Sequence, residues 1–225
     1  MAKRTDLQVV EVDGFGTVSL RPDSLRTSVS VEVRGEDLKA ARDEAATRTR
    51  SIIAALERLQ IPSLQVRNVN ISVTPISEGE REPASTAPPR IIGYEATSWV
   101  SVVLEGVSID ALRVESSRVL EAALSAGANQ TDGIRFFLSA PREAYRAALK
   151  AAIEDAEKSA DAIAKAARIK LLGWRSVSTA GEEGDGRAFK GAAEALGSTA
   201  TTFPIEPEEI RVTAAVKARF RFAEE

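Results

Sequence analysis

The chain contains no cysteine and no histidine. The first absence removes disulfides and thiolate nucleophiles. The second removes imidazole bases and haem ligation by histidine, and the two together remove the usual zinc ligand sets. Chemistry would fall to carboxylates, Lys, Arg, Tyr, Ser or Thr, and the sequence predicts no enzyme, no catalytic residue, no metal and no cofactor. A zero cysteine count suits a reducing cytosol and an oxidising periplasm equally. Charge of one sign is also lacking: 30 basic against 33 acidic residues leave a net charge of -3, which gives no broad electrostatic reason to expect a nucleic acid partner. Long apolar runs are missing too. The longest, "WVSVVL" at 99–104, is far short of the roughly 18 residues of a membrane helix, so no membrane-spanning segment is expected. The first residues, "MAKRTDLQVVEV", carry Lys3 and Arg4 with no apolar stretch behind them, so no export signal is visible.

What is present is period-two alternation. Val69, Ile71 and Val73 form one such run, Ser98, Val100, Val102 and Leu104 another. Ile210, Val212, Ala214, Val216, Ala218, Phe220 and Phe222 make the clearest. Such half-buried strands favour an antiparallel sheet covered on one side. Three segments have helical period instead. The first carries Leu38, Ala41, Ala45, Ile52, Leu56 and Leu59 and stops before Pro62. The second runs from Ser108, an N-cap, to Gly127, a C-terminal glycine, with Leu112, Val119, Leu120 and Leu124 inward. The third runs from Pro141 to Ala167. Its seam of Tyr145, Leu149, Ala152, Ala156, Ala160, Ile163 and Ala167 is mostly small, so this helix should sit close to what it covers.

These elements predict an α+β fold in one domain, residues 1–225, with helices packed on one face of an antiparallel sheet and exposed loops near 77–90 and 180–204. Two successive strand-helix-strand stretches, one closing at Pro75 and one at Pro141, leave an internal β-α-β duplication open.

The stretch "GFGTVSLRPDSLRTSVSVEV" at 14–33 opens on a Gly-x-Gly pair, but Ser19 stands where a dinucleotide fingerprint needs its third glycine. Strand alternation follows, and Pro22 forbids a helix whose N-terminus could meet a phosphate. Gly14 and Gly16 are therefore read as shaping a kink, and Pro22 with Asp23 as a second break. Glu182, Glu183 and Asp185 lack calcium-loop spacing, and "GDGRAFKG" lacks the Gly-Lys-Ser/Thr ending of a phosphate loop. Arg211, Lys217, Arg219 and Arg221 form a basic stripe on the last strand. Phe220 and Phe222 point the other way, so no stacking platform for single-stranded nucleic acid results. Trp99 and Phe137 fall at outward positions and, with the basic stripe, are candidates for an interface between subunits.

In this order the pieces resemble the SIMPL domain family. The resemblance runs from about Val9 to Phe222. It rests on "VEVDGFGTVSLRPDS" (Gly14, Gly16, Pro22, Asp23), "IIGYEATSWVSVVL" (Gly93, Tyr94), "AGANQTDGIRFFLS" (Gly127, Ala128, Gly133, Ile134) and the alanine-rich helix that follows. It implies an α+β fold, ring-like homo-oligomers and a periplasmic or cell-envelope location. It also implies links to oxidative stress, a protein partner such as a signalling kinase, and no established enzymatic activity. If Met1 is the native start, the absent signal would instead place the chain in the cytoplasm. The expected function is that of a self-associating, non-enzymatic protein. The alternative is a small-molecule or peptide binding module built on loops 77–90 and 180–204.

Overall fold

A computed structural model describes residues 8–78, 90–179 and 206–224. The α+β class is as expected, and among the described residues every strand pairing is antiparallel. The sheet, however, is two sheets, and the chain divides into two compact units.

The first unit joins β1 (Val9–Leu20), α3 (Pro141–Ala167), β6 (Ile169–Thr179) and β7 (Ile210–Glu224). Its three strands lie in the order β1-β7-β6. β1 and β7 pair without a register shift, from Val9 opposite Arg221 to Leu20 opposite Ile210. β1 therefore has no break or bulge at Gly14 and Gly16, and neither glycine has a positive φ. Their role is close approach. A Cβ on Gly14 would lie 2.2 Å from the Ala152 carbonyl oxygen, and one on Gly16 only 2.0 Å from that of Ala148. The helix backbone thus rests on the strand backbone.

The helix meets this demand with its own small residues. Ala144, Ala148, Ala152, Ala156, Ala160 and Ala164 are all buried at strict i, i+4 spacing. The predicted seam shared only its middle. Tyr145 and Ile163 are exposed at 36% and 42%, because at so short a distance only methyl groups fit and larger side chains are turned aside. Val10, Val12, Val216, Ala218 and Phe220 complete this core.

The second unit is a split β-α-β pair. Its elements are β2 (Ser24–Gly35), α1 (Leu38–Arg58), β3 (Leu64–Ser77), β4 (Ile91–Leu104), α2 (Ile109–Ser125) and β5 (Gln130–Phe137). The strand order is β3-β4-β2-β5. The two strand-helix-strand stretches read in the sequence are both here, interleaved so that the strands of each flank a strand of the other.

Both helices begin where their caps dictate. Asp37 accepts from the Ala40 amide and Ser108 from the Ala111 amide. α2 stops at Gly127, whose φ of 111° favours glycine. Val29, Val31, Val33, Ala96, Val100 and Val102 face Ala41, Ala45, Ile52 and Leu56 of α1 and Val119 and Leu120 of α2. Leu124, expected inward, is 38% exposed, and Ala123 takes its place. The polar Thr49 is buried because its hydroxyl donates to the Ala45 carbonyl one turn back.

Candidate interaction surface

Each sheet has a helix-covered side and a second side bearing the polar half of the alternation. In the first unit the second side carries Glu11, Asp13 and Phe15 from β1, with Arg211, Lys217, Arg219 and Arg221 from β7. The basic stripe is real, and part of it is neutralised. Arg219 Nε donates to Glu11, and Lys217 Nζ lies 3.5 Å from the same carboxylate. The Arg219 hydrogen bond holds the Glu11 pKa below its ordinary value against the opposing effect of burial, assisted by the charges of Arg219 and Lys217. Arg211 and Arg221 have no such partner among the described residues.

In the second unit, Trp99 and Phe137 lie where the sequence placed them, opposite the helices, and both are half-buried. Trp99 sits between Ser30 of β2 and Asn70 of β3. Phe137 lies beneath the Arg26 guanidinium, 5.6 Å from its ring centre. On the same sheet side, farther along β2, Arg34 bridges Glu32 and Glu95 at 2.9 and 2.8 Å. The hydrogen bond to Glu95, then the charges of Glu95 and Glu32, raise the Arg34 pKa further. Asn129, which the sequence reading did not single out, extends this sheet with a side chain. Its amide receives the Glu32 N–H and donates to the Glu32 carbonyl, both at 2.8 Å, as a neighbouring strand would. The six candidate residues therefore lie on the sheet sides opposite the helices, in two groups on two separate sheets.

Of the remaining motif residues, Gly93 lies within β4 with the Gly35 carbonyl 3.0 Å from where its Cβ would be, and Gly133 lies within β5, where pairing with β2 shifts register. Asp23 is more than a strand break. Its carboxylate accepts from the Ser139 hydroxyl at 2.5 Å, the Ser139 amide at 2.7 Å and the Ser24 hydroxyl at 2.9 Å. Partial burial pushes the Asp23 pKa up, but the hydrogen bonds from Ser139 and Ser24 outweigh it and leave the pKa below the ordinary carboxylate value. Asp23→Ala is expected to cost about 1–2 kcal/mol. A lowered folded-state pKa gives stability that is complete above the unfolded value, about 3.9, and is lost as pH falls through the folded one. The gap between wild type and Asp23→Ala in urea melts should therefore shrink below about pH 4. A gap constant from pH 7 to pH 3 would contradict this.

Most of loops 77–90 and 180–204 lies outside the described residues, as do Glu182, Glu183, Asp185 and the "GDGRAFKG" stretch. Among the described residues no group of three or more acidic side chains is placed to hold a metal ion. An open cleft of about 370 Å³, lined by Leu56, Glu57, Gln60, Ile61, Leu64 and Val66, lies at the end of β3 away from loop 77–90. No described helix is long and apolar enough to cross a membrane.

A family model described as "SIMPL: Protein of unknown function (DUF541)" matches residues 10–220. The chain is similar to the "Uncharacterized protein YggE" of Escherichia coli strain K12 and of Shigella flexneri. Each is 27% identical over 163 residues, which is 72% of this chain and 61% of the relative. The chain thus matches about three-fifths of the length of these curated relatives. Among solved structures, an uncharacterized conserved protein from Listeria innocua covers 96% of this chain and 92% of its own length at 9% identity, with a TM-score of 0.19. AtUAH in complex with glyoxylate covers 64% of this chain and 34% of its own length at 10% identity, with a TM-score of 0.26. At such TM-scores neither likeness carries an argument.

Proposed function

This chain belongs to the SIMPL family, and from that membership we propose that it is a self-associating, non-enzymatic protein of the cell envelope or of the stress response that acts through an oligomeric surface. The observation that carries the reading is that Trp99 and Phe137, two large aromatic rings, both lie on the side of the four-stranded sheet opposite its helices, one beside Ser30 and the other beside Ser24 of β2 and so about 20 Å apart along the strand. Each ring is a common kind of interface anchor, and the face between and beyond them carries Arg26, Glu32, Arg34 and Glu95 as polar groups. Among the described residues the groups with shifted pKa values, Glu11, Asp23 and Arg34, are engaged in structural ion pairs and hydrogen bonds, which supports a scaffold role.

Light scattering of the purified chain across concentration and salt tests the proposal. A discrete multimer that survives dilution is the expected result, with Trp99→Ser shifting it toward smaller species. A monomer at every concentration overturns it and brings forward the binding-module reading.

A further inference from the structure

Among the described residues two sheets leave four outer strands, and three of them are protected against pairing with another chain. On β1, Asp155 of α3 reaches the strand and accepts the Phe15 amide at 2.9 Å, blocking its middle. β6 is broken by two register shifts and carries Lys170 and Arg175. β5 is eight residues long, shifts register against β2, holds Gly133 at a φ of 78° and carries Asp132 and Arg135.

β3 is different. It is fourteen residues long, and its only charge is Arg67, so residues 68–77, "NVNISVTPIS", are uncharged. Asn70 to Ile76 form a regular run between two register shifts. Asn70, Ile71, Ser72 and Thr74 are exposed, Ile71 by 47%. Pro75, tolerated on an edge strand, closes the run at one end.

We propose that β3 is where a second copy of this chain adds, antiparallel, about a two-fold axis through Ser72. The proposal rests on the self-association reading and assigns it a place. The strand is its own complement. With Ser72 opposite Ser72, Ile71 of each copy meets Val73 of the other on the helix side, and Asn70 meets Thr74 on the opposite side. Val73 already packs against the core, so this pairing extends the apolar layer across the axis and buries Ile71. Two four-stranded sheets become one of eight. An uncharged strand offers a charged foreign peptide nothing to select it, whereas two identical strands match without any like-charge conflict. The same self-pairing at β6 would concentrate Lys170 and Arg175.

The natural absence of cysteine makes the test clean. Ser72→Cys in the full chain should give a covalent dimer under mild oxidation, because paired antiparallel residues lie within disulfide reach. Ser178→Cys on β6 should not. Ser72→Lys places two ammonium groups face to face and should weaken the multimer on the order of tenfold by light scattering, with an unchanged melt in dilute solution. A wild-type multimer that is indifferent to Ser72→Lys, with Ser72→Cys staying uncrosslinked, overturns the assignment to β3 and leaves self-association standing. A wild-type monomer throughout overturns both. Amide protection at 70–74 that does not depend on concentration would mean the edge is covered within the chain, and would overturn the assignment as well.

Discussion

Gly16→Val is expected to lower the melting temperature by about 10 °C or more, although valine is among the best strand formers. The new Cβ would stand 2.0 Å from the Ala148 carbonyl oxygen and 2.4 Å from the Ala152 amide nitrogen. Both are backbone atoms of an α-helix and cannot rotate away. The helix must lift, which withdraws the alanine seam from Val10, Val12 and Phe220 and opens a gap along the first unit's core. Overpacking commonly costs about 1–3 kcal/mol, and a clash with two main-chain atoms belongs at or above that range. Gly14→Val should behave alike, its Cβ falling 2.2 Å from the Ala152 carbonyl oxygen. Combining Gly16→Val with Ala152→Gly should not restore stability, since trimming a methyl group leaves the obstructing helix backbone in place. Differential scanning calorimetry of the three variants decides the matter. A melt within 2 °C or so of wild type for Gly16→Val would show that the helix can move cheaply.

Leu104→Ala should be about as damaging in the second unit, by the opposite route. Leu104 is fully buried with Leu25 and Leu112, and half-buried Ile61, Leu64, Ile134 and Phe136 close around them. It stands opposite Leu25 on one neighbouring strand and Leu64 on the other, so three leucines lie abreast beneath Leu112 of α2. Residues held in register on paired strands cannot collapse into a void, and the cavity persists. The expected loss is about 3–4 kcal/mol. In urea it appears as a lower midpoint at unchanged slope, because the surface exposed on unfolding is nearly the same. Leu124→Ala on the same helix, where the side chain is 38% exposed, should cost well under half as much. Equal losses at the two positions would mean that burial does not govern the cost of truncating these leucines.

All three helices and most strands were legible because their signals are local. Ser108 and Gly127 mark helix ends by a hydrogen bond and a backbone angle that span a few residues. The alternation of Ile210 to Phe220 states directly which side of β7 is buried. The division into two sheets was not legible, since β1 finds its partner in β7 across nearly the whole sequence and no short window records that. For the same reason Gly14 and Gly16 looked like a bend. The atoms they make room for belong to Ala148 and Ala152, and only the assembled unit brings those near. Trp99 and Phe137 could be assigned to an outward face from phase alone. Asp155 and Asn129 could not be found that way, because each acts on a backbone group of a distant strand and leaves no periodic trace.

The pairing of β1 with β7 also sets a schedule. During synthesis the second unit's strands and helices emerge as one uninterrupted block, and all its strand pairings can form while the chain is still growing. β1 emerges first and then waits for about 190 more residues before β7 exists, some 10–40 s at ordinary rates of translation. Through that interval a strand with the apolar residues Val9, Val10, Val12, Phe15 and Val18 has no partner. The bare glycines at 14 and 16 and the carboxylates of Glu11 and Asp13 make it a poor template for premature pairing in the meantime.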